Sequence, residues 1–206
     1  LINRLRGGAE IPEDQRERNK RLHPFKDASH RDAKRRIARQ AVDMCRNGET
    51  IILDGGSTTW QMASMLEQAA LTVLTNSFPI ADHLMRYSDN TVIVPAGEVK
   101  RSHWAILNPF GDDFFAHYSC SKVFMGAQGL INGVVTNDDT SLIMSEQNMI
   151  RHAHQLILLL DSSKFHQQGN LRLCTLEDVH TIITDTGIDD EARRMITDAG
   201  VELLLV

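Results

Sequence analysis

The sequence predicts an α/β fold with a mainly parallel sheet that is covered by helices on both faces. The alternation of two kinds of segment along the chain leads to this prediction. Short runs rich in Val, Ile and Leu, typical of buried strands, alternate along the chain with segments of helical periodicity. Strands that alternate with helices in this way form parallel sheets. The strand-like runs lie at residues 51–53, 71–74, 91–94, 122–125, 156–160, 181–183 and 201–206.

The helices between these runs are predicted from their apolar stripes and from the residues at their ends. The helix predicted at 31–46 places Ile37 and Ala41 on one stripe and Lys and Arg side chains opposite. Further helices are predicted at 60–66, 78–85, 112–118, 140–152 and 189–199. The last of these has acidic residues in its first turn and stops at a glycine, so both of its ends are signalled.

Most strand-like runs stop at a cluster of small polar residues, and the richest cluster reads Asp54-Gly55-Gly56-Ser57-Thr58-Thr59. Its glycines allow a sharp turn and a close approach to a ligand. The hydroxyls and free N–H groups at the following helix start suit a phosphate or carboxylate. It lacks the lysine of a Walker loop and the third glycine of a dinucleotide fingerprint.

A turn followed by a helix cap uses the same residue types, so one such cluster is weak evidence for a binding site. Several clusters at strand ends favour a small-molecule pocket, because ligands bind beyond the carboxyl ends of the strands in open parallel sheets.

The composition limits the class of protein. The 206 residues are 42% hydrophobic, which is enough for one domain with a substantial core, and the net charge of −5 argues against a broad nucleic-acid surface. Three well-separated cysteines indicate neither a disulfide framework nor a metal site, and they fit a reducing cytoplasm. No apolar run approaches the roughly 18 residues of a membrane span, so no membrane partner is expected.

The first 36 residues are rich in Lys and Arg, and the sequence begins with Leu rather than Met. A charge run of this kind is usually a solvated segment. We therefore expect a linker leading into the helix at 31–46, in a chain that is a fragment of a longer protein.

Six motifs occur in a characteristic order along the chain. Together they resemble the C-terminal sensor domain of DeoR-family bacterial transcriptional regulators, and the resemblance covers nearly the whole chain. The motifs are Arg6-Gly7-Gly8-Ala9, Asp54-Gly55-Gly56-Ser57-Thr58-Thr59, Thr75-Asn76-Ser77 and the segments 124–129, 160–165 and 183–185.

The resemblance implies a domain layout and a fold. Residues 1–30 would be a linker from an absent N-terminal winged helix-turn-helix domain, and residues 31–206 would be a sugar-phosphate sensor domain. The implied fold is similar to that of ribose-5-phosphate isomerase, glucosamine-6-phosphate deaminase and CoA-transferases.

The resemblance also implies a phosphorylated sugar effector, no cofactor and no metal, operator DNA bound only through the absent domain, and a homo-oligomer. The segment 55–59 would cradle the phosphate, Lys164 would supply a point charge, and Asp161 would shape its loop. The implied ligand-binding residues are Asp54, Gly55, Gly56, Ser57, Thr58, Thr59, Asn76, Ser77, Gly97, Gly126, Gly129, Glu146, Asp161, Ser163 and Lys164.

Two other classes of function remain open from the sequence. A sugar-phosphate isomerase or deaminase could use Glu146 as its acid or base, although a helical Glu ordinarily faces solvent and fold analogy is weak support. His152 and His154 do not share a helical face, so a metal site is not expected there. A purely structural dimerisation module would have no use for the polar clusters.

Overall fold

The computed structural model of the chain describes residues 3–5, 8–10, 25, 29–108 and 113–206. Most of the predicted linker at 1–30, including Arg6 and Gly7 of the first motif, lies outside these ranges, as do residues 109–112. The helices are α1 (Arg31–Asp43), α2 (Ser57–Ala63), α3 (Phe78–Tyr87), α4 (Ile143–Arg151) and α5 (Asp190–Asp198). Single 3-10 turns lie at Phe114–His117, Ser162–Lys164 and Leu176–Asp178.

The strands form one large sheet and three small ones. They are β1 (Asn3–Leu5), β2 (Gly8–Glu10), β3 (Thr50–Leu53), β4 (Thr72–Leu74), β5 (Thr91–Ile93), β6 (Glu98–Lys100), β7 (Ala105–Leu107), β8 (Cys120–Met125), β9 (Gly129–Ile131), β10 (Val134–Asn137), β11 (Ala153–Leu159), β12 (Leu171–Thr175), β13 (Thr181–Thr184) and β14 (Glu202–Leu205).

The large sheet has seven strands in the order β14-β13-β11-β8-β3-β4-β5. Every pairing within it is parallel. Each strand-like run of the sequence corresponds to one of these strands, so the predicted α/β class with a mainly parallel sheet is confirmed. The chain runs from β3 to β4 through α2 and from β4 to β5 through α3, as parallel connections require.

Apolar side chains on both faces of this sheet form two separate cores. Along β11, Leu156 and Leu158 face one core, whereas Ile157 and Leu159 face the other. This alternation follows from the two-residue period of a strand. It explains why these strands read as continuous apolar runs, since a strand covered on both faces needs apolar side chains at every position.

Helices α1, α2 and α3 cover one face, to which they contribute Ile37, Met62 and Ile80. Helices α4 and α5 cover the other face through Met149 and Ile196. The prediction of helices on both faces is therefore correct, but it is incomplete, because a small antiparallel sheet also packs on the second face.

The antiparallel sheet has the order β12-β10-β9, and it was not predicted. Its β9–β10 hairpin turns at Asn132 and Gly133, whose φ angles are 50° and 76°. Positive φ at both residues is the requirement of a type I′ turn, which Asn-Gly satisfies best. The dipeptide was thus a usable signal for this hairpin. A second unpredicted hairpin joins β6 and β7.

Gly129 at the start of β9 lies against the backbone of the segment that follows the second 3-10 turn. A β-carbon at Gly129 would lie 2.0 Å from the carbonyl oxygen of Gln167. At Gly126, which follows β8, a β-carbon would meet the carbonyl oxygen of Leu159 at an ordinary 3.9 Å. Close backbone packing therefore requires glycine at the first position and not at the second.

We predict that Gly129→Ala destabilises the fold by about 1–3 kcal/mol, because the added methyl group overlaps a backbone atom. The matched control Gly126→Ala should change the free energy of unfolding by no more than about 0.5 kcal/mol. Urea unfolding of the two variants beside wild type measures both values. Equal stability of the two variants would contradict the packing assigned to Gly129.

Candidate functional site

A polar cleft of about 340 Å³ lies beyond the carboxyl ends of β3, β8 and β11. The loop after β3 is fixed to the neighbouring strand, because the Asp54 N–H donates to the carbonyl of Phe124 at 3.0 Å. Ten of the residues expected to bind ligand line the cleft, and they are Asp54, Gly55, Gly56, Ser57, Thr58, Thr59, Gly126, Glu146, Asp161 and Lys164.

The loop between β3 and α2 presents backbone and hydroxyl groups to the cleft. Helix α2 begins after Gly56, and no side chain caps that helix start. Its first N–H groups have no partner within the helix, as at every helix start. The Thr59 hydroxyl donates to the carbonyl of Gly56 at 3.0 Å, so it is engaged locally.

Two lysines line the cleft, and one of them, Lys34 of α1, was missed from the sequence. Lys34 is 7% exposed, and its ammonium donates to the carbonyl of Ser29 at 2.7 Å. It lies 3.6 Å from Oδ2 of Asp161. Lys164 enters from the turn after β11, where its N–H donates to the carbonyl of Asp161 at 2.9 Å.

The sequence contained a signal for Lys34. The residue precedes Ile37, Ala38 and Ala41 by three, four and seven positions, and all four are buried on the same side of α1. Placing the basic residues of this helix opposite its apolar stripe was therefore wrong for Lys34. A long side chain can lie along an apolar surface and extend its ammonium to a polar site at the edge.

Two carboxyl groups, Asp54 and Glu146, line the cleft close to each other. Glu146 is 3% exposed, so it does not face solvent as a helical Glu ordinarily does. The Asn137 amide donates to both of its oxygens at 2.8 Å. Asn137 ends β10, so the unpredicted antiparallel sheet supplies this contact, and no pattern in the sequence indicated it.

Burial and the nearby Glu146 carboxyl raise the pKa of Asp54 well above its ordinary value, against a hydrogen bond from the Gly55 N–H. Burial also raises the pKa of Glu146, with Asn137 opposing the rise and the charge of Asp139 adding to it. None of the described groups that shift either pKa is a cation. The pair therefore retains a proton at a pH where isolated carboxyls have lost it.

Residues 29–186 match the family described as the DeoR C terminal sensor domain. The chain belongs to this family. Among its relatives, the uncharacterized HTH-type transcriptional regulator YulB of Bacillus subtilis is 30% identical over 175 residues, which cover 84% of this chain and 67% of YulB. The HTH-type transcriptional regulator UlaR of Escherichia coli K12 is 26% identical over 205 residues, covering 100% of this chain and 81% of UlaR.

Solved structures show the fold alone. The eIF2B beta chain of Chaetomium thermophilum superposes with a TM-score of 0.52 at 15% identity, covering 73% of this chain and 47% of that chain. Ribose 5-phosphate isomerase A of Methanocaldococcus jannaschii gives a TM-score of 0.49 at 18% identity, covering 66% of this chain and 55% of that chain. This chain thus spans about half of each solved chain.

The prediction that this sensor domain is not an enzyme is confirmed by its relatives, which are transcriptional regulators.

Within the described ranges, no group of three or more His, Cys, Asp and Glu residues could hold a metal ion. His152 instead contacts Asp113, with 2.7 Å between Nε2 and Oδ2. No helix in the same part of the chain is long and apolar enough to cross a membrane.

Two of the residues expected to bind ligand, Asn76 and Ser77, lie outside the cleft lining of the sensor domain. Asn76 is buried, and its amide donates to the hydroxyl of Ser145 of α4 at 3.1 Å. Ser77 is also buried, and its side chain would lie 3.4 Å from a β-carbon at Gly55. Ser77 is therefore placed to support the β3–α2 loop, whereas Asn76 contacts α4.

Three further expected residues have contacts within the fold and do not line the cleft. Gly97 faces the backbone of Leu107, where a β-carbon would lie 2.2 Å from the carbonyl oxygen, and Gly129 packs as described above. Ser163 donates through its N–H to Oδ1 of Asp161 at 3.2 Å, and its hydroxyl contacts the same oxygen. These contacts give each residue a structural role.

We predict that the free energy of unfolding of Asp54→Asn, relative to that of wild type, increases as pH rises. Unfolded Asp loses its proton near a pKa of about 3.9. The folded state retains it to a higher pH, so the unfolded state binds fewer protons above that value. The stability of wild type therefore falls as pH rises towards the raised folded pKa, and it levels off above that pKa.

Urea unfolding at several pH values between about 4 and about 8 measures the difference between Asp54→Asn and wild type. The control is Asp185→Asn. At Asp185 burial raises the pKa, but hydrogen bonds from Ser162 and Gly187 lower it overall. The stability that Asp185 contributes is therefore lost only as pH falls below the unfolded pKa of about 3.9, so the relative stability of the control should stay nearly constant over this pH range. A pH-independent difference for Asp54→Asn would contradict the proton assigned to the pair.

Proposed function

We propose that this sensor domain binds a phosphorylated sugar, or a related phosphorylated metabolite, in the cleft, and that binding changes the DNA affinity of a helix-turn-helix module in the same regulator. One observation carries the proposal. Two lysines line the same small polar cleft as the buried carboxyls of Asp54 and Glu146, and no cation in the described part of the chain lowers the raised pKa of either carboxyl. A phosphorylated polyol requires both kinds of group.

The size and position of the cleft support a small ligand. Its volume of about 340 Å³ is at the lower end of the range for ligand pockets. It lies at the carboxyl edge of an open parallel sheet, where small molecules bind in this class of fold.

The phosphate would lie between the ammonium groups of Lys34 and Lys164, near the hydroxyls of Ser57 and Thr58. Charge-assisted hydrogen bonds from ammonium to phosphate are about twice as strong as neutral ones. Asp161 opposes this with one negative charge beside Lys34. Five acidic residues line the cleft beside the two lysines (Asp54, Asp138, Asp139, Glu146 and Asp161), so a phosphate would depend on direct contact with the two ammonium groups.

The hydroxyl groups of the sugar would bind to Asp54, Glu146 and Asn137. Lys34 reaches the cleft from α1 on one face of the sheet, whereas Glu146 comes from α4 on the other face. A protonated carboxyl offers a donor, and an ionised carboxyl offers only acceptors, so a pair that retains one proton presents both to a hydroxyl. The arrangement thus suits a ligand with an anionic group and neutral polar groups.

We predict that phosphorylated sugars raise the melting temperature of the domain and that unphosphorylated sugars do not. A ligand at 100 times its dissociation constant adds about 2.7 kcal/mol of stability. Ser57→Asp should abolish binding by charge repulsion. Lys164→Met should weaken it by about tenfold to a hundredfold, because a charge-assisted hydrogen bond contributes about 1.5–3 kcal/mol.

Thermal-shift screening followed by titration calorimetry measures both effects. Lys100→Met is the matched control, since Lys100 is exposed on β6 away from the cleft. Its affinity for the sugar phosphate should equal that of wild type. Unchanged affinity in Ser57→Asp would show that the phosphate binds elsewhere.

The DNA part of the proposal is supported by the relatives, which are HTH-type regulators that extend beyond the matched region. We further propose that residues 1–30 link such a module to the sensor domain. Sequence-specific readout needs side chains presented to base edges by a recognition element. The net charge of −5 makes a broad DNA surface on this chain unfavourable.

We predict that this chain alone does not bind operator DNA selectively at physiological salt, and that a regulator carrying the helix-turn-helix module does. The sugar phosphate should change the operator affinity of that longer protein. By linkage, the operator must change the affinity for the sugar phosphate by the same factor. Gel-shift competition and calorimetry measure the two factors, and unequal factors would contradict direct coupling.

A further inference from the structure

Lys34 connects the cleft to the backbone at the start of the sensor domain. Its ammonium, which lines the cleft, donates to the carbonyl of Ser29 at 2.7 Å. The match to the sensor-domain family begins at this same residue, 29. The side chain therefore joins the ligand cleft to the first backbone group of the domain.

The backbone next to this contact is held in an uncommon conformation. His30, which precedes α1, has φ 55° and ψ 37°, the left-handed region that disfavours residues with a β-carbon. The carbonyl of His30 accepts the N–H of Lys34 at 3.0 Å. Lys34 thus binds two consecutive carbonyls. Its side-chain ammonium binds the carbonyl of Ser29, and its backbone N–H binds the carbonyl of His30.

A phosphate can replace the Ser29 carbonyl as the hydrogen-bond acceptor of the Lys34 ammonium. The Ser29 carbonyl is neutral, so it binds an ammonium less strongly than a phosphate oxygen does. Oδ2 of Asp161 lies 3.6 Å away, beyond a normal hydrogen bond. Oδ1 of Asp161 already accepts from Ser163, so Asp161 keeps a partner if Lys34 moves.

We propose that Lys34 is both a ligand-binding residue and the residue that couples the cleft to the backbone at Ser29 and His30. A bound phosphate takes the ammonium from the Ser29 carbonyl. Without that contact, His30 leaves the left-handed region and the first turn of α1 opens. This inference rests on the proposed binding of a phosphorylated ligand in the cleft, and it adds how that binding is transmitted.

Hydrogen–deuterium exchange followed by NMR, with inorganic phosphate and glucose 6-phosphate as probes, tests the coupling. In wild type, saturation with a probe should speed exchange of the Lys34 amide severalfold, since its acceptor is the His30 carbonyl. In Lys34→Met the probe should leave this exchange rate unchanged. Lys164→Met, brought to the same saturation at higher probe concentration, should still show the faster exchange.

A second comparison separates ligand binding by Lys34 from a purely structural role. Lys34→Met leaves the Asp161 charge without its cation and can therefore fold poorly, so the comparison is made with Asp161 neutralised as well. Lys34→Met/Asp161→Asn should bind glucose 6-phosphate about tenfold more weakly than Asp161→Asn alone. If Lys34 only neutralises Asp161, the two variants should bind equally, and equal binding would overturn the proposal.

The outcomes also distinguish this inference from the proposed function. Binding of a probe to wild type without a change in Lys34 amide exchange would overturn the coupling and leave the proposed ligand class standing. If neither these probes nor any sugar phosphate of the thermal-shift panel binds wild type, both proposals fail together.

Discussion

The parallel direction of the seven strands is the constraint on which the site depends. Because the strands run the same way, the residues that follow β3, β8 and β11 all meet at one edge of the sheet. Residues as distant in sequence as Asp54 and Lys164 therefore line one cleft. The two apolar cores hold the strands in register and leave this edge for polar side chains.

The charged residues at that edge come from different elements of the fold. Lys34 is carried by α1 on one face of the sheet and Glu146 by α4 on the other, while Asp54 and Asp161 follow strands of the sheet itself. Asp161 has a lysine beside it, whereas Asp54 and Glu146 are buried near each other, and burial raises the pKa of both carboxyls. The cleft therefore brings ammonium and carboxyl groups from different elements of the fold into one small volume.

The elements with strong local signals were predictable. Buried strands such as β11 need apolar residues at every position, and α5 has a capping Asp189 whose carboxylate accepts the N–H of Ala192 at 2.8 Å. The β9–β10 hairpin was missed although Asn132-Gly133 signals it. Of the predicted ligand-binding residues, those of the β3–α2 loop lie in the cleft lining, whereas Gly97 and Gly129 pack closely against backbone outside it. Ligand binding by these residues stays a prediction.

The sequence by itself determined the α/β class, the parallel strands and the family, because these follow from local periodicity and from motifs in a fixed order. Only the tertiary structure decided which side chains share the cleft. Lys34 lies in a basic run that reads as solvated, and Glu146 reads as a surface residue, yet both are buried. Their environment depends on packing between segments far apart in the chain, which local pattern does not encode.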